Sequence, residues 1–127
     1  MKKSISAHTL VKNEDCYLWF AAVSIIEHVD KLLIWDTGSS DKTVDVIKAL
    51  QETYPQKIIF KEKRQVGSLE LTALRQKMLE ESNSDWILIL DGDEVWWQDS
   101  IHKIIEVINE RGDDLYAIIN PVINVVG

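Results

Sequence analysis

Four short apolar runs, each followed by a stretch with helical spacing, constrain this chain more than anything else in it. SISAHTLV (residues 4–11), KLLIWD (31–36), QKIIFKE (56–62) and WILIL (86–90) read as strands. NEDCYLWFAAVSIIEHV follows the first, with Asn13 as its expected N-cap and Leu18, Ala22, Ile25 and Val29 at helical intervals. Val44, Ile47 and Leu50 give a second helix its buried face, and Leu71, Leu74 and Met78 a third. DSIHKIIEVINERG predicts a fourth, capped by Asp99 or Ser100 and stopped at Gly112, before the extended LYAIINPVINVV, interrupted by Pro121. The order is βαβαβαβα, then β.

Strands alternating with helices of this length need crossover connections, which predicts an α/β fold with a mostly parallel sheet and helices on both faces. Ligands of such sheets sit beyond the carboxyl ends of the strands. Three polar clusters fall there: VKNE (11–14), DTGSSD (36–41) and DGDE (91–94).

Composition narrows the partners. The 127 residues suit one domain spanning 1–127, with 46% hydrophobic and 28% charged residues. A net charge of −7 disfavours tight binding to a polyanion, so no nucleic-acid partner is expected, and a phosphate would need a local device such as a bridging cation. The single cysteine, Cys16, excludes an internal disulfide and reads as a small helix residue. No apolar run is long enough to span a membrane and MKKSISAHTL is too polar for a signal peptide, so the expectation is a soluble cytoplasmic chain. The basic run KEKRQ (61–65) reads as a solvated loop, which allows at most peripheral contact with the inner face of a membrane.

In DGDE, the glycine lets the chain turn so that Asp91 and Asp93 can face one point, and hard oxygen ligands of this kind suit Mg²⁺ or Mn²⁺ carrying a substrate diphosphate. Alone, the tetrapeptide reads rather as a solvated turn. Asp36 likewise ends a strand at a loop that could either receive a ligand or cap a helix through Ser40 or Asp41. Trp96 and Trp97 could stack on a sugar ring, with one of them expected in the core. His8, His28 and His102 lie on unrelated elements, which speaks against a histidine metal site.

The ordered set VKNE, VDKLLIWDTGSSDKT, the arginine of LTALRQK, and DWILILDGDE resembles family 2 glycosyltransferases over Ile5 to about Trp97. Its wording is most similar to a bacterial subgroup that includes lipooligosaccharide-core β-glucosyltransferases. The resemblance implies a Rossmann-like GT-A nucleotide-sugar-binding fold. It further implies that Leu10 and Val11 line the base pocket, that Asp36 accepts a hydrogen bond from uracil, and that Arg75 lies nearby. Asp91 would lie by the ribose or metal and Asp93 would coordinate the metal. The implied reaction is an inverting transfer from a UDP-sugar to a saccharide or lipid-linked acceptor, in cell-envelope polysaccharide synthesis.

Members of that family run well beyond 200 residues, so the chain is expected to be the donor-binding portion of a longer enzyme, with its catalytic base beyond residue 127. Glu94 reads as a solvated neighbour, and Lys12 as a surface lysine that could approach phosphate. Two other classes remain open: a non-catalytic nucleotide-binding module, and a haloacid-dehalogenase-type phosphatase, whose Asp-x-Asp pattern DGDEV satisfies. Three strand-helix units before that motif argue against the phosphatase.

Overall fold

The structure, a computed structural model, describes residues 2–64 and 67–123. Four strands, β1 (Ile5–Val11), β2 (Lys31–Asp36), β3 (Ile58–Glu62) and β4 (Trp86–Ile89), form one parallel sheet in the order β3-β2-β1-β4. Four helices connect or follow them: α1 (Leu18–Ile25), α2 (Thr43–Thr53), α3 (Ser68–Glu81) and α4 (Gln98–Arg111).

Both faces of β1 and β2 are buried, which is why these strands read as nearly continuous apolar runs. On one face Ala7, Val11, Leu32 and Ile34 pack with Leu18, Ala22 and Ile25 of α1, Ile47 and Leu50 of α2, and Ile101 and Ile108 of α4. On the other, Leu33 and Trp35 meet Leu74 and Met78 of α3. The helices thus cover both faces, as the alternating pattern predicts.

Several boundaries differ from expectation. Asn13 is not the cap of α1: its φ of 55° is left-handed, a conformation asparagine tolerates, and the helix begins only at Leu18 after a turn that contains Cys16. A 3-10 turn, Ile26–His28, carries the chain on to Val29. Neither Asp99 nor Ser100 caps α4, which starts at Gln98 behind Trp97 without a side-chain cap; its stop at Gly112 stands. KEKRQ begins inside β3, where Lys61 binds Glu81 at 2.7 Å, and Lys61 and Lys63 lie 5.0 and 4.7 Å from the Trp35 ring centre; Gln65 lies outside the described residues. Among the described residues, 113–123 form no strand: Pro121 lacks a ladder donor, and Tyr116, Ile119 and Val122 are exposed rather than packed. No described helix is long and apolar enough to cross a membrane.

Candidate functional site

The three polar clusters meet at the carboxyl edge of the sheet because β1 lies between β2 and β4. Val11 pairs with Asp36, and the Leu90 amide donates to the His8 carbonyl at 3.0 Å, so the loops after all three strands leave side by side.

The first two loops are laced together. Thr37 donates its amide and its hydroxyl to the Val11 carbonyl, both at 2.9 Å. Asn13 donates its amide to Ser39 Oγ at 2.9 Å and accepts the Ser40 amide on Oδ1 at 2.8 Å, which is what its left-handed backbone achieves. Thr43 Oγ1 accepts the Glu14 amide at 2.9 Å, while Asp41 Oδ1 accepts the Thr43 amide at 2.9 Å and so performs the capping expected of it, one residue before the geometric cap Lys42.

Asp36 is buried, and its carboxylate is engaged within its own loop: Oδ2 accepts the Gly38 and Ser39 amides at 3.1 Å each, and Oδ1 accepts the Ser39 hydroxyl at 2.5 Å. That turn needs Gly38, whose φ of 103° only glycine adopts readily. Three of roughly four acceptor positions on a carboxylate are therefore occupied.

The DGDE loop closes on the first loop. A Cβ on Gly92 would lie 3.0 Å from Val11 Cγ1 and 3.1 Å from Glu14 Cγ. The glycine serves close approach rather than a positive φ, since among the described residues Gly38 is the positive-φ glycine. This contact gathers Glu14, Asp41, Asp91, Asp93 and Glu94. Burial raises the pKa of Glu14, and the charges of Asp93, Asp41 and Asp91 add to it. Glu94 is pushed up to about 7 by burial, by a hydrogen bond with Asp91, and by the charges of Asp91 and Asp93. Asp41 moves the other way: desolvation, which would raise it, is outweighed by the hydroxyl and amide of Thr43. Glu14 was legible only as a first-turn helix acid; nothing local in VKNE signals that it would face the DGDE loop.

Among the described residues no three His, Cys, Asp or Glu side chains enclose a ready-made metal cage. That still fits Mg²⁺ or Mn²⁺, which take one or two protein carboxylates and complete their shell with water and substrate phosphate. Mutually repelling carboxylates on a chain of −7 are the donor set such a cation would neutralise.

The remaining predicted residues are divided by the pleat. Leu10 lies beside Trp35 on the α3 face, whereas Val11 is buried on the opposite face against Gly92. Arg75 stands on the α3 side, lining a cavity of about 330 Å³ with His8, Thr72, Met78, Ile87 and Ile89, and it does not join the loop network. His8 donates to or accepts from Ser82 Oγ at 2.6 Å; its pKa is lowered by burial and then by Arg75. Lys12 is exposed at the carboxyl edge. Trp96 is half-buried, with its amide on Ser24 Oγ, and Trp97 is 68% exposed.

Comparison with known proteins bears on the fold and the family. The SPbeta prophage-derived glycosyltransferase SunS of Bacillus subtilis is 27% identical over 104 residues, covering 82% of this chain and 23% of that protein. The mannosyltransferase PcManGT from Pyrobaculum calidifontis, solved with GDP-Man and Mn²⁺, superposes with a TM-score of 0.65 at 19% identity over 84% of this chain and 33% of its own. TarS of S. aureus, residues 1–349, solved with UDP, gives a TM-score of 0.59 at 18% identity, over 86% of this chain and 33% of its own. The chain thus spans about a quarter of the curated relative and a third of these structures. The Glycosyl transferase family 2 profile matches residues 6–127, which sets the phosphatase reading aside: the chain belongs to glycosyl transferase family 2.

Proposed function

We propose that the chain is the donor-binding portion of an inverting hexosyltransferase that holds a nucleotide-diphospho-sugar, a UDP-sugar by preference, through a divalent cation, for transfer to a saccharide or lipid-linked acceptor. The observation that carries it is the junction of the β1, β2 and β4 loops, where Gly92 seats against Glu14 and brings Asp91 and Asp93 to the shared edge. Asp93 and Asp91 would hold the cation, which supplies neutralisation of the charge that develops on the leaving diphosphate. GDP-Man with Mn²⁺ in PcManGT and UDP in TarS support the donor class.

Asp36 has a double task in this reading. Its three loop hydrogen bonds fix Gly38 and Ser39, and the acceptor position left on Oδ1 is available to a base N–H. Leu10 and Arg75 share the α3 side and would border the base from there; Val11 contributes the strand end itself. Association with a membrane is at most peripheral, and the synthesis of envelope polysaccharide is the process this subgroup resemblance points to.

The test is isothermal titration of UDP into the full chain with Mn²⁺, with Mg²⁺ and with chelator. Cation-dependent binding is expected. Equal affinity with and without chelator removes the metal's role, and absence of binding in every condition favours a non-catalytic interaction module.

A further inference from the structure

Among the described residues, Asn13 is the non-glycine residue with a positive φ, 55°. A side chain stays in that left-handed region only where its surroundings hold it there, and such positions gather at functional sites. Here one partner segment supplies the hold. The Asn13 amide donates to Ser39 Oγ and its Oδ1 accepts the Ser40 amide; the Glu14 amide donates to Thr43 Oγ1. The Asp15 amide donates to Asp41 Oδ2 at 3.3 Å, and the Lys42 amide returns to Asp15 Oδ2 at 3.2 Å. Residues 13–15 are thus seamed to residues 39–43, bond by bond.

The seam reaches a different half of the site at each end. Ser39 Oγ, which accepts the Asn13 amide, donates its own proton to Asp36 Oδ1, the carboxylate assigned above to the nucleobase. Glu14, the residue after Asn13, is the side chain against which Gly92 is packed, and its carboxylate senses the charges of Asp93, Asp41 and Asp91. A continuous path therefore runs from Asp36 through Ser39, Asn13, Glu14 and Gly92 to Asp91 and Asp93. Asn13 stands at its middle and belongs to neither group of ligand-facing carboxylates.

The two ends are linked in energy as well as in space. Like charges on Glu14, Asp91 and Asp93 oppose the seating of the DGDE loop on the first loop, and a cation removes that opposition. Seating fixes Glu14, the seam then fixes Ser39, and a base on Asp36 fixes the same Ser39 from the other side. Groups within one hydrogen-bond network respond to each other where distant groups do not. We infer that Asn13 is a positioning residue that couples nucleobase recognition at Asp36 to cation binding at the DGDE loop, so that each ligand tightens the other through the protein. The inference rests on the donor-site reading and adds how the two halves of that site communicate.

Uridine carries the base and ribose of the donor but no phosphate with which to hold a cation. Mn²⁺ titration of the full chain, followed by the electron paramagnetic resonance of the free ion, without and with saturating uridine, reads the coupling as a ratio of dissociation constants. A ratio of about 5 is expected in the wild type. Asn13→Gly keeps the left-handed backbone and removes the side chain, and Ser39→Ala cuts the link to Asp36; each should bring the ratio to about 1. Asn13→Asp retains an acceptor for the Ser40 amide and should recover most of the coupling. A residue that only held the fold would weaken both ligands and leave the ratio alone. A wild-type ratio of about 1 overturns the inference. So does an undiminished ratio in Asn13→Gly, which would run the coupling directly through Asp91. UDP titration with Mn²⁺, run separately, keeps the two readings apart: Mn²⁺-dependent UDP binding without uridine–Mn²⁺ coupling removes the coupling alone, whereas failure of UDP to bind with Mn²⁺ removes the donor-site reading beneath it.

Discussion

Gly92 and Glu14 are packed so closely that a methyl group on the glycine would lie 3.1 Å from Glu14 Cγ and 3.0 Å from Val11 Cγ1. The glutamate can swing aside, but Val11 is buried in the core and cannot. Gly92→Ala is therefore expected to push the DGDE loop outward, at a cost of about 1–3 kcal/mol in stability. Thermal unfolding measures that loss, and UDP titration should show the weakened cation site beside it.

Asp93→Asn is expected to abolish the cation-dependent part of UDP binding, because a neutral amide is a poor ligand for a hard cation. Glu94→Gln should do much less. Calorimetry of both variants with Mn²⁺ and with chelator checks the difference; full metal-dependent affinity in Asp93→Asn would show that DGDE is only a turn.

Asp36→Ala should lower stability as well as affinity. Three loop donors lose their acceptor, which costs about 1–3 kcal/mol, or a fall in melting temperature of roughly 4–11 °C. Asp36→Asn, which keeps an acceptor oxygen, should recover much of the stability. Differential scanning calorimetry of the pair separates the loop's requirement from the nucleotide's.

The pH dependence has a defined sign. Glu94 titrates near 7 in the fold against an ordinary 4.5, so between these values the folded chain holds a proton the unfolded chain has lost, and stability falls as pH rises through that window. His8 acts oppositely: its lowered pKa means that stability is lost as pH falls below 6.5. Melting temperatures from pH 4.5 to 8 without cation should show the Glu94 contribution as the difference between wild type and Glu94→Gln, whose curve loses the decline toward pH 7.

The layered sheet was legible because burial of β1 and β2 on both faces leaves an unmistakable apolar signature, and because Ile47, Leu50, Leu74 and Met78 keep a helical interval. The carboxyl edge was legible from topology, since crossover connections put VKNE, DTGSSD and DGDE on the same side. Caps were not. Asn13 has the composition of an N-cap, but its side chain is used across the fold, on Ser40, and the helix waits for Leu18. Glu14 was missed for a related reason. Its importance comes from the approach of Gly92, almost eighty residues later, and no local pattern encodes a contact of that range.

The placement of β4 has a consequence for how this site comes into being. β1 pairs with β2 a short distance along the chain, whereas its other edge waits for Trp86 and Ile87 to meet Ile5 and Ser6. Closing the longer loop carries the larger entropic cost. The pairing that carries Asn13 and Asp36 is thus local, whereas the positions of Asp91 and Asp93 depend on the distant one. The four-residue β4, at the sheet edge and only partly buried, is also the strand held least firmly. Its seating therefore decides whether the three loops meet at all: a locally opened chain keeps the Asn13–Ser40 lacing of the first two loops, while the DGDE turn loses its place against Glu14.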